Sequence, residues 1–275
     1  MSDSNTNDKL CERFLDLLGI ERRSPSIEAL TEVVGAFVTR VPFENISKLY
    51  NLKRYGLRGI PEFEMYLDGL EHYNFGGTCY PNNYHLHLLL EHLGYEASLC
   101  GAAMNNPDVH LTNLVSIDGR EFFIDVGYAA PFLKPMPRDL EQDYVVESGK
   151  DRYVLKPRAS DGTSRLDLYR DGELKHGYTV NPTPRKIDHF ARVIEDSFRA
   201  DAVFLNSLLL VRQYPNRSVS IRNLSIIEAE GRDSEKRRLA GREELPAIVE
   251  ELFSIPGEIV SEAVASLGDL GDPWT

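Results

Sequence analysis

His110 opens the stretch HLTNLVSIDGREFFID, residues 110–125, and the Asp118-Gly119 pair at its middle decides how the centre of the chain folds. Asp-Gly between two apolar, β-prone runs marks a two-residue hairpin turn, because both turn positions need positive φ. With that turn, Ile117 pairs with Arg120 and Thr112 pairs with Asp125. His110 lies two residues beyond Thr112. It therefore shares a face with Asp125 as its diagonal neighbour, about 7–8 Å away between backbones and within side-chain reach. A histidine and an aspartate so placed can act as a base and the group that orients it. A structural hydrogen-bonded pair is the plainer alternative. One face of the hairpin carries Leu114 and Phe123, the other Leu111, Val115, Ile117, Phe122, Ile124 and Val126. Ser116 and Glu121 share the first of these faces, and the pattern alone does not say which is buried.

Strand-like runs extend on both sides of this hairpin, from Tyr95 to about Tyr178. Asp171-Gly172 marks a second hairpin and Asp161-Gly162 a further turn. Several antiparallel strands in succession suggest a small barrel or sandwich. Upstream the period changes to that of helices. Leu10, Phe14, Leu17 and Leu18 share one face; Ser26 opens a helix running to about Arg40; Pro61–Tyr73 is a third. Leu86, Leu89, Leu90 and Leu93 give a fourth its apolar side, with Gly94 as its stop. Downstream of Asn181, Ile187–Phe198 reads as helix. Leu208–Val211, Val219–Leu224 and Ile226–Ala229 read as strands, and Leu245–Phe253 and Ile259–Leu267 as helices. The ends, Met1–Asp8 and Gly268–Thr275, read as loose.

Between the helical and the strand region stands Gly76-Gly77-Thr78-Cys79-Tyr80-Pro81-Asn82-Asn83. Pro81 is tolerated only in a first helical turn, which puts Cys79 at or just before a helix start. Unpaired N–H groups and the helix dipole favour a thiolate there, and the same N–H groups can receive an oxyanion. A small buried cysteine beside a glycine turn is the bland alternative. Cys11 and Cys100 lie in apolar-periodic segments, where the bland reading is preferred. His85, His87 and His92, all on the helix after Cys79, read as surface histidines.

The chain has 275 residues, is 42% hydrophobic and carries 31 basic against 43 acidic side chains, a net charge of −12. That balance speaks against nucleic acid as the partner. The start, MSDSNTND, lacks the basic and apolar parts of a secretory leader, and no apolar run is long enough to span a bilayer. A cytoplasmic protein without a membrane partner is expected. The three cysteines lack metal-ligand spacing, so free thiols and no metal are expected.

Four motifs in order carry a resemblance to a known family. They are Val41-Pro42-Phe43-Glu44-Asn45, then Gly76-Gly77-Thr78-Cys79 with Asn83, then His110-Leu111, then Ile124-Asp125-Val126-Gly127-Tyr128. This series resembles the arylamine N-acetyltransferases. The resemblance implies an α+β chain with a cysteine-protease-like Cys-His-Asp core. A helical bundle over residues 1–94 would carry Cys79, a β-barrel over 95–184 would carry His110 and Asp125, and an α/β lid would occupy 185–275. It implies that Cys79 is the acylated nucleophile, His110 its base and Asp125 the orienter of His110. The donor would be acetyl-CoA, a coenzyme A thioester used as substrate. The acceptor would be a small aromatic amine, hydrazine or arylhydroxylamine, reached by a ping-pong route. By matched position Phe43 and Val109 would line the acceptor pocket and Tyr214 would meet coenzyme A. Arg212, Arg217 and Arg222 are candidates for its phosphates.

This chain departs from the family pattern at three points. Phe75 stands where the family has Arg, which leaves Glu44 without its usual partner. Pro81 stands where it has Glu. The interval from Cys79 to His110 is short, and the missing residues fall in the loop 102–109. Two other readings accompany the first: an amide synthase of the same fold that uses a larger acyl thioester in natural-product biosynthesis, and a non-catalytic ligand-binding relative.

Overall fold

The structure, a computed structural model, describes residues 2–271. In chain order its elements are α1 (Ser2–Leu18), α2 (Ile27–Arg40), β1 (Phe43–Glu44), α3 (Ile46–Tyr55), α4 (Phe63–Tyr73) and α5 (Cys79–His92). Next come β2 (Glu96–Ala103), β3 (His110–Ile117), β4 (Arg120–Ile124), β5 (Met136–Pro137), β6 (Tyr144–Ser148), β7 (Asp151–Leu155), β8 (Ser164–Arg170) and β9 (Glu173–Val180). The last part holds α6 (Ala191–Asp196), α7 (Val203–Asn206), β10 (Leu209–Gln213), β11 (Arg217–Arg222), β12 (Ser225–Glu230), β13 (Asp233–Arg238), α8 (Leu245–Phe253) and α9 (Gly257–Val264). The fold is α+β.

The hairpin of residues 110–124 has the register expected of it. Ile117 pairs with Arg120 and Asn113 with Ile124, and the turn residues sit at φ 52° (Asp118) and 77° (Gly119). Asp171 and Gly172 repeat this at 51° and 81°. The strands form one nearly closed antiparallel barrel in the order β5-β4-β3-β2-β9-β8-β7-β6. Both faces of β3 are buried, which is why alternation could not pick one. Leu114 and Phe123 point into the barrel with Tyr153, Leu166 and Tyr178. Val115, Ile124 and Val126 pack outward against α1, α2, α4 and α5. That second core is built on Phe14, whose ring meets Phe37, Phe63 and Tyr66 edge-on. Ser26 caps α2 by accepting the Ala29 N–H.

The second sheet, β1-β10-β11-β12-β13, is antiparallel throughout and packs on α8 and α9 through Leu210, Val219, Ile221, Ile226 and Phe253. Its members are not consecutive in the chain. β1 precedes the barrel, yet Phe43 pairs with Val211 and Glu44 with Leu210. Ile46, Leu49 and Tyr50 of α3 join the same core.

Several local expectations are corrected. α3 was not anticipated, although Ile46, Leu49 and Tyr50 have helical spacing. The amino-terminal residues are not loose, since α1 already includes Ser2; Met1 lies outside the described residues. Gly268–Gly271 is held down by burial of Leu270 and by a hydrogen bond from Asn223 to the Gly271 carbonyl. The rest of the carboxyl end lies outside the described residues. Strand β13 was missed because all six of its residues are exposed and mostly charged, which leaves no apolar alternation to read. No helix among the described residues is long and apolar enough to cross a membrane.

Candidate active site

Cys79 is the first residue of α5. The residue before it, Thr78, is extended and makes no side-chain cap, so the first-turn N–H groups are not closed off by it. Close backbone approaches fix this segment in place. A Cβ on Gly76 would lie 1.9 Å from the Pro42 carbonyl oxygen. A Cβ on Gly127 would lie 2.7 Å from Cα of Cys79 and 2.5 Å from Nδ2 of Asn83. Only glycine fits at either position, and through them three of the four motifs touch. Between them, Phe43 bridges Gly77 in parallel, and the Glu44 N–H donates to the Gly77 carbonyl at 3.1 Å.

His110 begins β3 and is 1% exposed. Its Nε2 lies 2.7 Å from Oδ2 of Asp125. The Cys79 side chain acts on the same imidazole and favours its proton. Burial alone would lower the affinity of this ring for its proton. The Asp125 charge and hydrogen bond, together with Cys79, outweigh burial and push the His110 pKa up to about 10. Asp125 is likewise fully buried, which by itself favours the acid. The charge of His110 and the hydrogen bonds from His110, Tyr178 and Asn83 overcome this and hold it below the usual carboxylate value.

The carboxylate is saturated with donors. Oδ1 accepts Asn83 Nδ2 at 2.9 Å and the Gly127 N–H at 2.9 Å, and Oδ2 accepts Nε2 of His110 and the Tyr178 hydroxyl. Asn83 also donates to the Leu111 carbonyl at 2.7 Å and accepts the Val126 N–H at 3.1 Å. Lying four residues after Cys79, it shares a helix face with it, so one helix turn delivers both the thiol and the clamp on Asp125. Tyr178, from β9, also lays its ring 4.9 Å from that of His110. Nothing local in the sequence marked Tyr178; barrel closure brings it in.

The surroundings are apolar. Cys79 packs in an apolar cluster with Tyr80, Leu99, Leu111, Phe190, Ile194 and Phe198, so the segment 190–198 covers the helix start. The loop before His110 is tied to the same segment by Asp108, whose carboxylate is 3.1 Å from Nε2 of His189.

Of the remaining expected residues, Phe43 is buried on β1 against Phe204, ring centroids 5.8 Å apart. Val109 is half-buried, and its carbonyl accepts the Tyr80 hydroxyl at 3.1 Å. Tyr214 lies just beyond β10, with the Arg217 guanidinium 5.6 Å from its ring. Its neighbour Gln213 donates to the Ala129 carbonyl at 3.2 Å, joining β10 to the segment after Asp125. Arg212 is turned to the Phe253 carbonyl and Arg217 to Glu228.

The other cysteines, Cys11 and Cys100, are buried, and that burial pushes both thiols up to about 12. The surface reading of the helix histidines is corrected. His85 is 1% exposed and stacked on Tyr66 at 4.1 Å. His87 is half-buried and bonded to Asn113 at 2.9 Å, and the His92 side chain is largely covered beside Glu12 and Asp8. The leucine stripe marks one buried face, whereas α5 is packed on several sides.

A thiol, an imidazole and a carboxylate in one buried chain can move a proton between sulfur and nitrogen while the negative charge stays balanced. That is the equipment of nucleophilic acyl transfer. Known proteins resemble this chain in sequence and fold. The sequence profile of the N-acetyltransferase family matches residues 26–260. Proansamycin X synthase of Amycolatopsis mediterranei is 23% identical over 247 residues, covering 83% of this chain and 90% of that protein. The pineal gland isozyme of arylamine N-acetyltransferase of Gallus gallus is 31% identical over 193 residues, covering 60% of this chain and 63% of that protein. The structure of Mycobacterium marinum arylamine N-acetyltransferase in complex with CoA superposes with a TM-score of 0.78 at 18% identity, covering 93% of this chain and 97% of that one.

Proposed function

The chain belongs to the arylamine N-acetyltransferase family and is an enzyme of that type, and from this premise we propose that it carries an acetyl group from acetyl-CoA to an aromatic amine, hydrazine or arylhydroxylamine through a thioester on Cys79. The buried His110–Asp125 pair beside Cys79 supports this reading more than any other observation. His110 takes the thiol proton, and the sulfur attacks the thioester carbonyl. Collapse of the tetrahedral adduct expels the coenzyme A sulfur, which leaves with the proton from His110. The acceptor nitrogen then attacks the acyl-Cys79 carbonyl and gives its proton to His110, and Cys79 departs. Asp125 keeps the imidazole oriented and balances its charge in both halves. The apolar cluster around Cys79 supports a thioester that waits for an amine. Phe43 and Val109 are assigned to the acceptor wall and Tyr214 to the coenzyme A side. The reaction is assigned to the cytoplasm, with which three free thiols accord.

The test is intact-protein mass spectrometry after mixing with acetyl-CoA alone. Wild type should gain one acetyl group and lose it to an added arylamine, and Cys79→Ala should gain none. An adduct that persists in Cys79→Ala sinks the mechanism.

A second reading is favoured by the proansamycin X synthase relative, which this chain matches over most of both lengths. It is an amide synthase that takes a larger acyl thioester. No acetyl adduct, but an adduct from a longer acyl thioester, would select it.

A further inference from the structure

Beside the Cys79 segment, on the side of α3, lies a cavity with about 560 Å³ of space not filled by protein atoms, its open mouth included. Phe75 and Pro81, the two residues that depart from the family motif, both line it. Met65, Tyr66 and Phe198 add to an apolar lining, while Leu57, Ile60 and Pro81 are half-exposed, so the cavity opens to solvent.

One cation faces this apolar space. The Lys48 ammonium donates to Ser197 Oγ at 2.8 Å and rests 3.8 Å from the centre of the Phe198 ring. Among the described residues no carboxylate lies within 4.0 Å of it. Three residues on, and so on the same face of α3, Asn51 lines the cavity too, and its side-chain amide has no hydrogen bond within the described protein. Burial, opposed by the Cys79 charge, lowers the Lys48 pKa to about 8, which still leaves the ammonium charged at neutral pH. A half-buried cation without a carboxylate beside it is costly unless something supplies the charge.

We propose that this cavity is a binding site for a small apolar carboxylate, its hydrocarbon part against Phe75 and Met65 and its carboxylate on Lys48 and Asn51. One cation with one amide donor matches a single negative charge, and the apolar walls suit an aryl or alkyl body rather than a hydrated phosphate. Because Gly76, Thr78 and Tyr80 also line the cavity, an occupant would rest against the backbone that carries Cys79. The inference goes beyond the acyl-transfer reading and does not depend on it.

The experiment is isothermal calorimetry at pH 7 without any acyl donor, with 3-phenylpropionate and its neutral amide, 3-phenylpropanamide, as probes. Wild type and Lys48→Arg should bind the acid about tenfold or more tightly than the amide. Lys48→Met should bind the two alike. Equal binding of acid and amide by wild type, no binding of the acid, or a preference that survives in folded Lys48→Met would each overturn the proposal. Should Lys48→Met not fold, acetic anhydride labelling of wild type decides. Lys48 should be protected by the acid and not by the amide, and unprotected labelling would overturn the site. No acyl chemistry is read out, so failure here leaves the reading of Cys79 standing, and failure of acetyl transfer leaves this site standing.

Discussion

His110 and Asp125 are joined through Nε2 and Oδ2 at 2.7 Å, both almost wholly out of water. The carboxylate holds the ring by one nitrogen and pays in charge for a proton on that ring. Asp125→Asn keeps the shape and removes the charge. Acyl transfer should fall by about a thousandfold or more, and because both carboxylate oxygens accept from donors, the new amide N–H should cost stability as well. The His110 pKa should drop from about 10, since burial would then act with less opposition. A pH profile of Cys79 alkylation by iodoacetamide checks this: an unchanged profile would mean that Asp125 does not govern the ring.

Gly127→Ala tests the seam between the Asp125 loop and the helix start. The added methyl would meet Cys79 Cα at 2.7 Å and Asn83 Nδ2 at 2.5 Å, so helix or loop must shift. A stability loss of about 1–3 kcal/mol is expected, together with a larger proportional loss of activity. Urea melts and single-turnover rates on one preparation measure both. Full activity in the variant would show that the seam tolerates a shift.

Glu44 is fully buried, and its carboxylate oxygens accept the Ser47 N–H at 2.8 Å and the Gly76 N–H at 3.1 Å. Burial is the largest influence on it and raises its pKa despite these bonds. A carboxyl whose folded pKa is raised contributes stability that is full below its unfolded value of about 4.5. That stability is lost as pH rises through the folded value, because the unfolded chain gives up the proton first. Glu44→Gln should therefore gain on wild type as pH rises from 5 to 8. A variant whose Tm falls relative to that of wild type over that range would contradict the assignment.

His85 has the opposite slope. Burial pushes its pKa down to about 3, so the folded protein resists a proton that the unfolded chain accepts below about 6.5. Its stabilising contribution is complete above that pH and is lost as pH falls toward 3. His85→Phe keeps a ring against Tyr66 and Phe63 and gives up the bond to the Pro61 carbonyl. The variant should be the less stable at pH 7.5 and should lose less stability than wild type between pH 6.5 and 4. Parallel acid melts of the two proteins would refute this.

What the sequence made legible was local geometry with a short range. The Asp118-Gly119 turn set the register of β3 and β4, and with it the approach of His110 to Asp125. Pro81 set the start of α5 at Cys79. Tyr178, by contrast, reaches Asp125 only because β9 closes on β2 far along the chain, and no spacing announces that. Lys48 lay hidden in a helix that was itself missed. Its neighbours Ser197 and Phe198 come from the other end of the sequence, so its solitude as a cation is a property of the assembled fold. His85 was misread for a related reason: pattern shows one buried helix face, whereas packing of α5 by α4 and the barrel buries more than one.

The two-residue strand β1 hydrogen-bonds to β10 on one side and bridges Gly77 on the other. During synthesis, a chain that has left the ribosome only as far as the barrel already holds Cys79, His110 and Asp125. It does not yet hold the strand that anchors Phe43 and, through it, the glycine turn before the thiol. Such long-range pairings close late in folding. Until residues 209–213 have been made, Phe43 therefore lacks its β10 partner and can have only its bridge to Gly77.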